Sequence, residues 1–175
     1  MPRRPNRAEQ AALALLQEHW DGTLPVPVDQ IAKKRGVKIR YEAFEGDLSG
    51  ALYRVDAGTT VLAVNSWHAD VRQRFTIAHE VGHLELHSDA LFIDGFLARD
   101  GDSSMAIKSE EVEANAFAAE LLMPRYAVLA ELNAAVDAGN SPTLKRVALQ
   151  LAHTFDVSEQ AMQFRLVNLG LAMSF

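Results

Sequence analysis

The chain has 175 residues and no cysteine. That composition excludes a disulfide scaffold, a cysteine zinc finger and a thiol nucleophile, so any metal site must be built from histidine and carboxylate side chains. A formal charge of −6 and a pI near 5.5 argue against a generally basic nucleic-acid binder, and 49% hydrophobic residues argue against a disordered chain.

The length fits one compact domain with room for a small appended lobe. Met1-Pro2-Arg3-Arg4-Pro5 is basic, but Glu18, His19 and Asp21 interrupt any apolar signal region behind it. No run approaches the ~18 apolar residues of a spanning helix. A cytoplasmic protein with no membrane partner is expected. Arg7 to Trp20 carries Ala11, Leu13, Ala14, Leu15 and Leu16 among polar residues, the pattern of an amphipathic helix, and Asp21-Gly22 ends it. Leu24-Pro25-Val26-Pro27 is an extended connector. Val28 to Arg35 reads as a short helix with Gly36 at its C′ position. Val37 to Tyr41 alternates like a strand. Ser49 to Val55 and Thr59 to Val64 form two more strands, joined as a hairpin across Asp56-Ala57-Gly58.

Asn65 or Ser66 is expected to cap a helix that runs to about His87. Ser88 to Lys108 is looser, most of all at Arg99-Asp100-Gly101-Asp102-Ser103-Ser104. Ser109 is a candidate cap for a helix ending at Met123, before Pro124. A helix over Tyr126 to Ala138 stops at Gly139-Asn140, and Ser141-Pro142 opens another that reaches about Phe155. Ser158 caps the last helix and Gly170 closes it. Helices, a small three-stranded group, then helices again predict an α+β fold, mainly helical.

The sharpest chemical signal is His79-Glu80-Val81-Gly82-His83. Histidines at i and i+4 lie about 40° apart on one helical face, so both imidazoles reach one ion. Zinc suits imidazole, and Mn2+ is another divalent ion such a set accepts. Glu80, next to the first ligand, faces metal-activated water in this motif and serves as general base. Phe75, Ile77, Ala78, Val81 and Leu84 make the helix apolar over much of its surface, where charged groups are costly unless paired or bound to metal.

A catalytic site needs a third protein ligand. The stretch from Ser109 to Glu120 supplies Glu111 and Asn115 at i and i+4, one to bind the metal and the other to orient an imidazole. Ala114 and Ala118 allow close approach of the two helices. Glu113 points about 200° away from Glu111, and Glu110 is the second choice. An acidic first turn that complements the helix dipole is the competing explanation of this cluster. His87, at i+8 from His79, reads as a structural or pocket-edge histidine. It is also an oxyanion candidate, with Tyr41, Tyr53 and Tyr126.

Arg74-Phe75-Thr76-Ile77-Ala78-His79-Glu80-Val81-Gly82-His83, then Leu86-His87, then Glu111 to Pro124, resemble the ImmA/IrrE family of metallo-endopeptidases. The resemblance covers about Val28 to Pro124 and implies a zincin-like fold and one catalytic zinc. It gives His79, His83 and Glu111 as ligands, Glu80 as base, and Asn115 where related peptidases often carry an aspartate behind a histidine. It also implies a protein substrate, a cytoplasmic helix-turn-helix repressor or antitoxin-like regulator. The expected organisation is a metallopeptidase domain over residues 1–140, with the sheet beside the HExxH helix, and a helical, helix-turn-helix-like lobe over 141–175 packed on it. Two other function classes compete, a metal-containing module that binds a repressor without cutting it and a DNA-binding regulator acting through the C-terminal helices. Residues 141–175 hold only Lys145, Arg146 and Arg165 as basic residues, too few for a strong phosphate footprint.

Overall fold

A computed structural model describes residues 4–56, 58–87, 103–137 and 144–171. Among them the order is α1 (Arg7–His19), α2 (Val28–Lys34), β1 (Val37–Glu42), β2 (Gly50–Asp56), β3 (Thr59–Asn65), α3 (Asp70–Leu86), α4 (Ser103–Leu122), α5 (Arg125–Asp137), α6 (Leu144–Phe155) and α7 (Glu159–Asn168). This is an α+β fold, as the element order of the sequence predicts. No helix of the described residues is long and apolar enough to cross a membrane.

The sheet order is β1-β3-β2. β2 and β3 form the expected antiparallel hairpin, with Leu52 opposite Leu62. β1 runs parallel to β3 on its other side, with Ile39 opposite Leu62. A central strand covered on both faces reads as a continuous apolar run, and Val61, Leu62, Ala63 and Val64 are all buried. Gly36, in the left-handed region at φ 78°, turns the chain from α2 into β1.

Three local expectations change. Neither Asn65 nor Ser66 caps the following helix, which starts at Asp70 behind Ala69. Asn65 is buried instead, and its amide donates to Leu48 O at 2.8 Å and accepts from the Trp67 amide at 3.0 Å. It pins the loop before β2 to the end of β3, an alternative bonding pattern open to any Asn near a turn. Ser109 is not a cap either, because α4 already runs from Ser103. Glu110, Glu111 and Glu113 therefore stand inside the helix, beyond the first turn where the dipole favours carboxylates, and the dipole does not explain them. The Ser88–Asp102 part of the looser stretch, Ala57, Gly139-Asn140 and Ser141-Pro142 lie outside the described residues.

The core is shared by all seven described helices: Leu16 of α1, Ile31 of α2, Ile77 of α3, Phe117 of α4, Val128 of α5, Phe155 of α6 and Leu166 of α7 are fully buried in one cluster. α3 and α4 pack tightly against each other at Gly82. A Cβ there would lie 3.0 Å from Phe117 Cδ1 and 3.3 Å from the Ala114 Cα. The glycine inside the HExxH motif thus sets the distance between the two helices that carry the chemistry. Ser158 caps α7 through the Ala161 amide, as read from the sequence.

Buried polar ties hold the C-terminal helices to this frame. Arg165 pairs with Glu120 in a fully enclosed contact and donates to Met123 O at 3.0 Å. The second Glu120 oxygen accepts from the Arg125 amide at 3.0 Å, at the start of α5. Arg74 of α3 donates to Val26 O and Asp156 O and pairs with the Asp156 carboxylate at 3.2 Å.

Candidate metal centre

His79 and His83 are buried on α3, with Nε2 atoms 3.0 Å apart. Glu111 reaches over from α4, Oε2 standing 3.2 Å from His79 Nε2 and Oε1 3.1 Å from His83 Nε2. The three ligand atoms lie within 4.8 Å of one another, and the group can hold a metal ion. Hydrogen bonds from His79, then His83, hold the Glu111 carboxyl far below the usual carboxylate range, against the opposing effect of partial burial.

The chemistry of the donors tests the fit of a cation. Asn115 Oδ1 lies 3.2 Å from His79 Nδ1 and accepts its proton. In a neutral ring that bond leaves Nε2 as a bare lone pair. It then faces His83 Nε2 at 3.0 Å and the Glu111 carboxylate at 3.2 Å. A proton or a metal ion must sit among them. Tetrahedral zinc with Zn–N distances of about 2.0–2.1 Å separates its donors by roughly 3.3 Å, close to the observed triangle.

Glu80 is fully buried on α3 between the two histidines. His79, Glu111 and Asn115 line a cleft of about 270 Å³ together with Ser49, Arg72, Phe75 and Thr76. Glu80 and His83 are not among those walls. Glu113 turns away from the triad, 3.4 Å from Arg7 and 3.5 Å from His87 Nε2. His87 thus stands outside the metal-capable group, its ring centroid 5.6 Å from that of His83. Glu110 is not part of the group either.

The tyrosine candidates are elsewhere. Tyr53 pairs with Val61 in mid-β2, outside the cleft walls. Tyr41 donates to Asp29 at 2.9 Å, and burial together with that bond pushes its hydroxyl up to about 12. Tyr126 packs on Trp20, ring centroids 5.8 Å apart.

Arg72 and Ser49 are cleft residues that the motif reading did not single out. Arg72 donates to Ser49 Oγ at 2.8 Å. Seven residues before His79, it lies about 20° from it around the helix axis, and that spacing was the available signal. Ser49 immediately precedes β2, and Gly50 sits so close to Thr76 that an added Cβ would lie 2.6 Å from its methyl. The strand therefore begins directly against the helix of the two histidines.

The family described as the IrrE N-terminal-like domain, peptidase M78, matches residues 32–167. The chain belongs to this peptidase family. It is similar to an uncharacterized immunity region protein 2 of Bacillus phage phi105, 31% identical over 107 residues, which make up 61% of this chain and 65% of the phage protein. Its fold is similar to that of a Mycobacterium tuberculosis transcriptional regulator, with a TM-score of 0.60 and 22% identity over 91% of this chain and 46% of the regulator. The chain thus spans about two thirds of the phage relative and about half of the mycobacterial one. Membership of a peptidase family thus stands beside a triad that could hold a metal ion.

Proposed function

We propose that the protein is a zinc-dependent endopeptidase that cuts a cytoplasmic helix-turn-helix repressor or antitoxin-like regulator. The observation that carries the reading is the convergence of His79, His83 and Glu111, with Asn115 fixing the tautomer of the first histidine. Two imidazoles and one carboxylate are a catalytic zinc set with a coordination position left for reactants. When bound, zinc supplies Lewis acidity, polarising a carbonyl and bringing the pKa of water to near 7.

This chain's own groups do the rest. His79, His83 and Glu111 hold the ion, and Asn115 keeps the His79 ring oriented. Glu80 takes a proton from the attacking water and delivers it to the leaving amine. An extended substrate aligns along β2, whose start at Gly50 behind Ser49 abuts the cleft, and gains backbone hydrogen bonds there. The regulatory substrate is supported by the ImmA/IrrE motifs and by similarity to a phage immunity region protein.

The test is incubation of the zinc-loaded protein with a helix-turn-helix repressor that co-purifies with it, followed by mass spectrometry of the products. A single cut is expected for the native protein, and none for Glu80→Gln with its zinc content unchanged. Cleavage by Glu80→Gln would remove Glu80 as the base. A tight complex with no cut by the native protein would leave a binding module instead.

A further inference from the structure

A second cavity, of about 640 Å³, opens beside the metal cleft and shares three walls with it: Arg72, Phe75 and Asn115. Its floor is apolar, with buried Met123 just beyond the end of α4, and its far wall is α7, with Ala161 and the exposed ring of Phe164. Pockets of several hundred cubic ångströms, mostly apolar with a few placed polar groups, are the usual shape of ligand sites. The charge of the lining is one-sided. No aspartate or glutamate contributes to it. Of its two arginines, Arg165 is paired with Glu120. Arg72 stands at the junction of the two hollows, exposed, with the neutral Ser49 hydroxyl as its hydrogen-bond acceptor.

We propose that this cavity is the specificity pocket of the same site. It takes a bulky aliphatic or aromatic side chain of the peptide next to the bond that is cut, and Arg72 receives an adjacent carboxylate. The proposal rests on the peptidase reading for its position beside the scissile bond. The occupant follows from continuity with the cleft, from the apolar floor, and from a cation with no opposing carboxylate in the lining. α7 then has a role in substrate choice, although all the proposed metal-binding residues lie on α3 and α4.

The experiment titrates zinc-loaded Glu80→Gln protein with fluorescent Gly/Ser peptides carrying one central Leu-Asp, Ala-Asp or Leu-Asn pair. Leu-Asp is expected to bind about tenfold more tightly than Ala-Asp, the scale set by the extra apolar surface of leucine. Replacing Asp by Asn is expected to weaken binding several-fold at low salt, and Arg72→Gln to abolish that difference. Ala161→Trp, which fills the cavity, and Phe164→Ala, at an exposed ring that the fold does not need, should each cut the Leu/Ala preference to about threefold or less. Equal affinity for all three peptides, no binding of any, or a preference that survives in both α7 variants overturns the proposal. Native zinc-loaded protein is assayed on the same peptides to separate the two readings. Tight, selective binding with no cut of either peptide or repressor refutes the peptidase and supports the pocket. Cleavage blind to leucine supports the peptidase and refutes the pocket.

Discussion

The amide oxygen of Asn115 on α4 accepts from Nδ1 of His79 on α3 at 3.2 Å, and this one bond decides which face of the imidazole is left as a ligand. Partners of this kind behind a metal-ligating histidine are worth 10–100-fold in metal affinity. Asn115→Ala is therefore expected to weaken zinc binding within that range, and Asn115→Asp to preserve it, because a carboxylate accepts the same proton. Competition with a chromophoric chelator reads both. An alanine variant that holds zinc as tightly as the native protein would show that the tautomer is fixed elsewhere.

Glu111 is expected to be the only acidic residue of its cluster that matters for metal content. Glu111→Ala should lose zinc on dialysis, while Glu113→Ala, whose carboxylate faces Arg7 and His87, and Glu110→Ala should retain it. Atomic absorption after gel filtration settles the assignment. Retention by Glu111→Ala with loss in either neighbour would move the third ligand.

Acid should unfold the metal-free protein partly through the same residue. The Glu111 carboxyl titrates lower in the folded state than its ordinary value of 4.5. The unfolded chain then binds more protons, and stability falls as pH drops through and below that value. Thermal melts of the metal-free protein between pH 7 and about 3 are expected to show this loss, and Glu111→Gln to flatten it. The zinc-loaded protein should lose its metal at higher pH, because protons compete for the two imidazoles.

Gly82→Ala is a test of helix spacing. The added methyl meets Phe117 and the Ala114 backbone at 3.0 to 3.3 Å. Overpacking of this kind costs about 1–3 kcal/mol, and here it also pushes Glu111 away from the histidines. A lower melting temperature together with weaker zinc binding is expected. Loss of stability with unchanged zinc affinity would mean that α4 yields without moving its first half.

Glu120 and Arg165 are both almost wholly enclosed. Removing one partner of a buried pair costs about 3–5 kcal/mol, because the other charge is left dry and unmatched. Glu120→Ala and Arg165→Ala should each destabilise by that order in urea melts. Glu120→Ala should be the worse, since it also deprives the Arg125 amide of its acceptor. A loss below about 1 kcal/mol in both would mean that water reaches the pair.

The parts of this architecture legible in the sequence are those written in short periods. His79 and His83, and separately Glu111 and Asn115, are four residues apart, so each pair shares a helical face whatever the fold. The β2–β3 hairpin and the Ser158 cap are equally local. What was hidden depends on distance along the chain. Asn65 carries the side chain of a cap, but Leu48 and Phe44 compete for it from a loop behind it in sequence. The start of α4 was placed six residues late because Ser109 offers a cap that the preceding turn already makes unnecessary. Arg165 reads in the sequence as one of three basic residues of the C-terminal segment, whereas it is buried against a partner 45 residues away. Seven residues before His79, Arg72 shares its helical face, but only the packing of Ser49 and β2 against α3 makes that face a cleft wall.

The Glu120 carboxylate has consequences for how the protein is made. Its guanidinium partner is encoded 45 positions downstream, so a nascent chain halted between the two has the histidine helix and its neighbour but no counter-ion for that acid. The hydrophobic layer around it cannot close until α7 has emerged from the ribosome. Arrested chains ending before residue 165 are expected to be digested rapidly by an added protease, and chains carrying the whole of α7 to resist it. A protease-resistant core would then form only once α7 is present.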